Sequence, residues 1–153
     1  MTYMKVSART DYALRMLLEL ASDRSVPMTC EAIAEAQEIP YRFLKSVVGD
    51  LRRSGLVASQ RGCDGGYWLS RDPANISVAE VIEAVDGSVL TVRGTMLSEL
   101  GYKATAEHLD MLWAQLQSYV DKLFATTIAQ LAEGRLAANL PGRLTRADLA
   151  PAR

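Results

Sequence analysis

Arg42 stands three residues before Lys45 and four before Ser46, the spacing that gathers side chains on one face of a helix. Arginine and lysine donate to guanine O6 and N7, and serine serves most base edges, so such a face laid in a major groove reads duplex DNA. Tyr41 opens the same helical stretch. Arg52 and Arg53 follow about two turns later, where phosphate contact fits better than base contact. Arg61 begins the run Arg61-Gly62-Cys63-Asp64-Gly65-Gly66. An arginine at the base of a glycine-rich tip suits a narrow minor groove, and Gly65 and Gly66 let the backbone approach the duplex closely. Each of these cations taken alone fits a solvated helix face. The order in which they occur makes DNA contact the better reading of the set.

That order is helix, turn, helix, hairpin. Thr29 opens a short helical pattern through Ile33 and Ala34, and Ile39-Pro40 marks a turn. Tyr41 to Ser54 reads as a second helix closed by Gly55, burying Phe43, Leu44, Val47, Val48 and Leu51 and showing its polar residues on the other face. Leu56 to Ser59 and Tyr67 to Leu69 flank the glycine-rich tip as strands. Before this block, Ser7 is placed to cap a helix carrying Ala13, Leu14, Leu17, Leu18 and Leu20. After it, Ser77 and Glu80 have the capping-box spacing, Val78, Val81, Ile82 and Val85 form a buried stripe, and Asp86-Gly87 ends the helix. Residues 1–87 therefore read as a winged helix-turn-helix domain, mainly α with a small β-hairpin wing.

Residues 88–104 show no clear period and read as a loop with one helical turn around Met96-Leu100. From 105 to 132 a single long helix is expected, without proline or glycine inside. Leu109, Leu112, Trp113, Leu116, Val120, Leu123 and Phe124 give it a wide apolar stripe. At 1.5 Å per residue it would run on the order of 40 Å, too long to bury against a small winged domain alone. A second copy of the chain is the simplest partner, making this a dimerisation helix. Residues 133–153 read as a flexible tail.

The bulk numbers agree with a globular protein of 153 residues: 49% hydrophobic, 23% charged, net charge −1. No apolar run approaches the roughly 18 residues of a membrane span. Lys5, Arg9, Asp11 and Arg15 interrupt any signal-peptide core, so a cytoplasmic location is expected. The charge distribution says more than its sum: Arg42, Lys45, Arg52, Arg53 and Arg61 face one acidic residue, Asp50, between positions 42 and 61. One histidine, no phosphate loop and no nucleophile–base pair argue against an enzyme. A protein-interaction module of the same fold, stripped of operator binding, is the alternative.

The motifs Lys5-Val6-Ser7…Asp11-Tyr12-Ala13-Leu14-Arg15, Leu51-Arg52-Arg53-Ser54-Gly55-Leu56-Val57, Arg61-Gly62…Gly65-Gly66-Tyr67 and Ile76-Ser77-Val78…Ala84-Val85-Asp86-Gly87 resemble the Rrf2 family of bacterial transcription regulators. The resemblance covers residues 4–87 and extends more weakly to about 131. It implies a homodimer joined through the long helix, with two winged domains on a pseudo-palindromic operator; a repressor is expected, with activation the other role the sequence leaves open. By motif position it implies phosphate contacts from Lys5, Ser7 and Arg9, major-groove reading by Arg42, Lys45 and Ser46, and minor-groove entry by Arg61. Cluster-regulator relatives carry an acidic residue at the position of Lys45, so a different operator is expected. Cys63-Asp64 replaces the usual proline and glycine of the wing tip. Cluster-binding members hold three cysteines before the long helix, whereas residues 88–108 here contain none. Thiolates are the normal iron–sulfur ligands, so no cluster of that type and no metal is expected. Signal entry is left to a redox thiol (Cys30 or Cys63), to a small molecule near Trp68, Tyr102, His108 and Trp113, or to a protein effector.

Overall fold

Ser7 caps the first helix in the computed structural model, its Oγ accepting from the Thr10 N–H at 3.0 Å. The structure describes residues 5–62, 65–88 and 90–137. Helix α1 (Ala8–Ser22) is followed by α2 (Cys30–Ala36), whose N-cap Thr29 accepts from Ala32 N–H. Between α2 and α3 (Tyr41–Arg53) the chain turns through Glu38, at a φ of 52°, and the buried Ile39, whose N–H reaches Ala34 O at 2.9 Å. Leu44, Val47, Val48 and Leu51 seat α3 in the core against α1 and α2. Phe43 departs from expectation: its ring is 43% exposed. One position before Leu44, it lies about 100° round the helix from that buried residue and leaves the core face.

Strands β1 (Val57–Gln60) and β2 (Gly66–Leu69) pair antiparallel, Val57 opposite Leu69 and Gln60 opposite Gly66. A third strand-like residue, Met28, joins them by bonding Tyr67 in both directions, at 3.0 and 2.8 Å. Gly66 makes this possible. Its φ is 147°, and a Cβ there would stand 2.8 Å from the Met28 carbonyl oxygen. Helix α4 (Val78–Asp86) begins with the expected Ser77–Glu80 capping box and ends at Gly87, φ 74°.

Beyond α4 the chain is more regular at one point and less at another than its periodicity suggests. The expected loop 88–104 contains a short antiparallel pair, β3 (Thr91–Val92) and β4 (Thr95–Met96), turned by Arg93-Gly94, and a 3-10 turn over Leu97–Glu99. The expected single helix over 105–132 is two helices: α5 (Leu109–Phe124), about 24 Å long at 1.5 Å per residue, and α6 (Ile128–Ala132). Two adjacent threonines break it. Thr126 is buried and its hydroxyl donates to Leu123 O at 2.6 Å; Thr127 caps α6 in a capping box with Gln130. β-branched hydroxyl residues offer the backbone alternatives to helix continuation. Tertiary pairing completes the break: Val78 N–H bonds Thr126 O and Ile128 N–H bonds Ile76 O, both at 2.9 Å. Ile128 is thereby fully buried, and α6 packs on α1 as part of the winged body rather than extending α5. The tail beyond 137 lies outside the described residues.

Candidate nucleic-acid interface

The outer face of α3 presents Tyr41, Arg42, Phe43, Lys45, Ser46, Arg52 and Arg53, all exposed. Burial of Leu44, Val47, Val48 and Leu51 on the opposite face fixes which way they point. Neighbours hold several of them. The Arg42 guanidinium lies 4.7 Å from the Phe43 ring centroid, Phe43 stacks on Tyr12 at 6.2 Å, and Arg15 covers Tyr12 at 5.1 Å. Arg15 is tied to Asp11 at 2.8 Å and to the Gln37 carbonyl at 2.7 Å. An aromatic platform bridging α1 and α3 thus positions Arg42. Cation–π packing of this kind contributes about 0.5–1 kcal/mol at exposed sites.

Lys45 is held differently. Its ammonium sits 5.5 Å from the Tyr41 ring centroid, and a hydrogen bond to the Tyr41 hydroxyl pushes its pKa up. The hydroxyl's hydrogen bond to Glu31 in turn raises the Tyr41 pKa. The Glu31 carboxylate is drawn below its ordinary range, first by its own backbone N–H at the start of α2 and then by Tyr41. Lys45 thus lies beside Tyr41, which in turn neighbours Glu31 of α2.

Ser46 Oγ donates to Phe43 O at 2.8 Å and accepts from Arg9 Nη1 at 2.9 Å. Arg9 is also paired with Asp50, which pairs with Arg53 as well. Ser7 serves as a cap and donates to the Asp86 carboxylate, which also accepts from the buried Thr10 hydroxyl at 2.7 Å. Lys5 is exposed just before α1. Arg52 and Arg53 border a small polar hollow with Gly49 and the β1 residues Val57, Ala58 and Ser59. Arg61 is exposed where β1 ends, followed by Gly62 at a φ of 113°. At Gly65 an added Cβ would overlap the Gln60 carbonyl oxygen, so the turn closes only around glycine. Cys63 and Asp64 lie outside the described residues.

Helix α3 and the hairpin beside it therefore bring the exposed cations Arg42, Lys45, Arg52, Arg53 and Arg61 together on a winged helix-turn-helix scaffold, with Arg9 packed against them from α1. Sequence reasoning missed Phe43 as a surface ring, Met28 as the third strand, and the carboxylates Glu31, Asp50 and Asp86 as partners of the contact residues. The extreme amphipathicity of α3 was the visible signal for the first; long-range pairing hid the others.

The scaffold and its basic face are those of a winged-helix DNA-binding regulator. The Rrf2 family, described as iron-dependent transcriptional regulator, matches residues 6–134, and the chain belongs to it. A Mycobacterium tuberculosis protein bearing the name HTH-type transcriptional regulator Rv1287 is 36% identical over 135 residues, covering 87% of this chain and 84% of that protein. The structure of CymR, the global cysteine regulator of B. subtilis, superposes with a TM-score of 0.68 at 28% identity, covering 85% of this chain and 97% of that one. The T. potens IscR structure gives 0.67 at 26% identity, covering 85% and 87%.

The family description raises the question of iron, and the residues present do not fit an iron–sulfur cluster. The chain has two cysteines, neither between 88 and 108. Cys30 is a core side chain, 3% exposed, and burial pushes its thiol pKa up, the reverse of a reactive thiolate. Among the described residues, no three His, Cys, Asp or Glu side chains gather as a metal site. Of the aromatic residues expected to offer a ligand surface, two meet: Trp113 Nε1 donates to the Tyr102 hydroxyl at 2.7 Å, while Trp68 lies in the wing and His108 is exposed beside Glu107.

Proposed function

We propose that the protein binds a pseudo-palindromic DNA operator as a homodimer, acts there as a repressor, and takes its signal by a route other than a three-cysteine cluster. The observation that carries this reading is the exposed basic face of α3, buried on one side and flanked by residues of α1 and α2 on the other. Arg42, Lys45 and Ser46 read major-groove base edges, with Tyr41 beside them. Lys5, Ser7, Arg9, Arg52 and Arg53 lie toward phosphates, Arg61 enters the minor groove, and Gly65 and Gly66 bring the wing close. Ser7 acts mainly by fixing the start of α1, because its hydroxyl is committed to Thr10 and Asp86.

Dimerisation is supported by α5. None of its sixteen residues is buried, and Met111 and Leu112 are 68% and 56% exposed. Leu109 and Leu112 stand exposed and Trp113, Leu116, Val120, Leu123 and Phe124 are only half-buried, an apolar stripe that a second copy of the helix can cover. Two copies joined there place two α3 helices on successive major grooves, and a dimer across a promoter blocks polymerase. A small-molecule effector is assigned to the cleft of about 320 Å³ between α4 and α5, lined by Ile82, Leu90, Met96, Val120 and Phe124. Its α4 wall ends at Asp86, the residue that grips Ser7 and Thr10 at the start of α1. No helix among the described residues is long and apolar enough to cross a membrane, and the proposed work is in the cytoplasm, where the DNA is.

Selection from a randomised duplex pool, followed by titration of the enriched duplex against a scrambled one, tests the reading. A two-fold-related sequence bound at least about a thousandfold more tightly than the scrambled duplex is the expected result. A dimer that binds both alike sinks it.

A further inference from the structure

Asp50 is the one acidic residue on the α3 face, and it is clamped between two of the cations assigned to phosphate. Arg9 reaches it from α1 and Arg53 from three positions along α3, both by direct ion pairs. Its carboxyl is only 20% exposed, while the Arg53 side chain is 73% exposed. An arginine so open to solvent has no steric need to turn inward. Gly49 allows it to do so: an added Cβ there would stand 3.2 Å from Arg53 Nη1, so the guanidinium lies folded back over the glycine. Arg9 meanwhile gives its other nitrogen to Ser46 Oγ at 2.9 Å. The carboxylate therefore ties the phosphate-contact group to a base-reading residue.

We propose that Asp50 is a specificity-determining residue, an internal stand-in for a DNA phosphate that holds Arg9 and Arg53 until an operator backbone in correct register displaces it. This rests on the DNA-binding reading above. Two arginines with one shared carboxylate present one net positive charge instead of two. Sequence-independent affinity depends on the number of phosphates neutralised, so the carboxylate lowers it. On the operator the loss is smaller, because Arg9 is already aligned with Ser46 at the bases. The carboxylate thereby widens the gap between specific and non-specific binding.

The test compares wild type with Asp50→Asn on the enriched duplex and on a scrambled duplex of equal length, by fluorescence anisotropy across a salt series. The asparagine variant is expected to bind the scrambled duplex about threefold to tenfold more tightly at moderate salt. Its salt slope there should steepen by about one counterion, close to 0.9 in log–log units. Its ratio of specific to non-specific affinity should fall by a similar factor. Gly49→Ala provides a second route that keeps the carboxylate, in a helix alanine favours. Its methyl would stand 3.2 Å from Arg53 Nη1 and crowd the folded-back guanidinium, so a smaller shift in the same direction is expected. An unchanged slope on scrambled DNA in both variants, or equal shifts on both duplexes, overturns the role of Asp50. If the pool yields no preferred duplex for wild type, operator reading fails by itself. The scrambled-duplex slopes then still decide whether Asp50 masks the two arginines.

Discussion

Helices α3 and α5 are both amphipathic, of thirteen and sixteen residues, and the fold treats them in opposite ways. In α3 the apolar face is sunk in the core, and on the cationic face Arg42 rests on the platform of Tyr12 and Phe43, Lys45 lies beside Tyr41, and Arg53 is drawn to Asp50. In α5 no apolar residue is fully buried: Leu109, Met111 and Leu112 are exposed, while Trp113, Leu116, Val120, Leu123 and Phe124 are only half-covered by the described part of the chain. The first helix lacks a polyanion and the second lacks an apolar surface. The two missing partners differ in kind, so substitutions in the two helices should fail by different measurements.

The largest effect is expected in the core of α3. Leu51→Ala removes a side chain with no exposure and should cost about 2–5 kcal/mol in denaturant unfolding. A loss under about 1 kcal/mol would mean that α3 is not anchored as described. Next comes Leu112→Lys. It should leave the circular dichroism unchanged yet convert dimer to monomer in sedimentation velocity, since an interface leucine contributes about 1.5–3 kcal/mol. A variant that stays dimeric removes α5 from the interface. Arg42→Ala and Lys45→Ala should each weaken operator binding by about 1–3 kcal/mol and relax base preference at one position, with no change in oligomeric state. If they instead weaken all duplexes equally, those side chains touch phosphate.

The same contrast explains what was legible in the sequence. Local signals worked where one element decides its own fate: the Ser7, Thr29 and Ser77 caps, the turn at Ile39-Pro40, and the glycines of the wing all sit as their chemistry demands. The basic face of α3 was legible too, because its spacing needs no neighbour. Residues 105–132 read as one helix because periodicity cannot see a distant extended segment. Residues 76–78 capture Thr126 to Ile128 by backbone bonds, and that outweighs the helical preference of the stripe. Phe43 reads as a core residue because hydrophobicity alone does not tell a buried ring from one stacked on Tyr12 in solvent. Two of the carboxylates beside the contact residues lie on other helices, 10 and 79 residues away in the chain for Tyr41–Glu31 and Ser7–Asp86, and the third, Asp50, is reached by Arg9 from 41 residues away.

The smallest predicted effect lies outside both helices, where acid should act on a cap rather than on a partner surface. Ser77 N–H donates to Glu80 Oε2 at 3.1 Å and Arg71 donates to Oε1 at 3.0 Å. The backbone bond first, and Arg71 after it, hold the Glu80 pKa below the usual glutamate range against partial burial. A carboxylate whose folded value is depressed stabilises the fold at pH above its unfolded value. That contribution is lost as the pH falls through the folded value. Glu80→Gln keeps an acceptor for Ser77 but removes the charge. Wild type should therefore exceed the variant by a few tenths of a kcal/mol at neutral pH, a small figure because the pair is solvent-screened. The difference should vanish in acid below the glutamate range. Thermal melts of both proteins between neutral and acidic pH decide it. A difference that persists unchanged into acid would show that the side chain acts through shape alone, and that the α4 cap owes nothing to its charge.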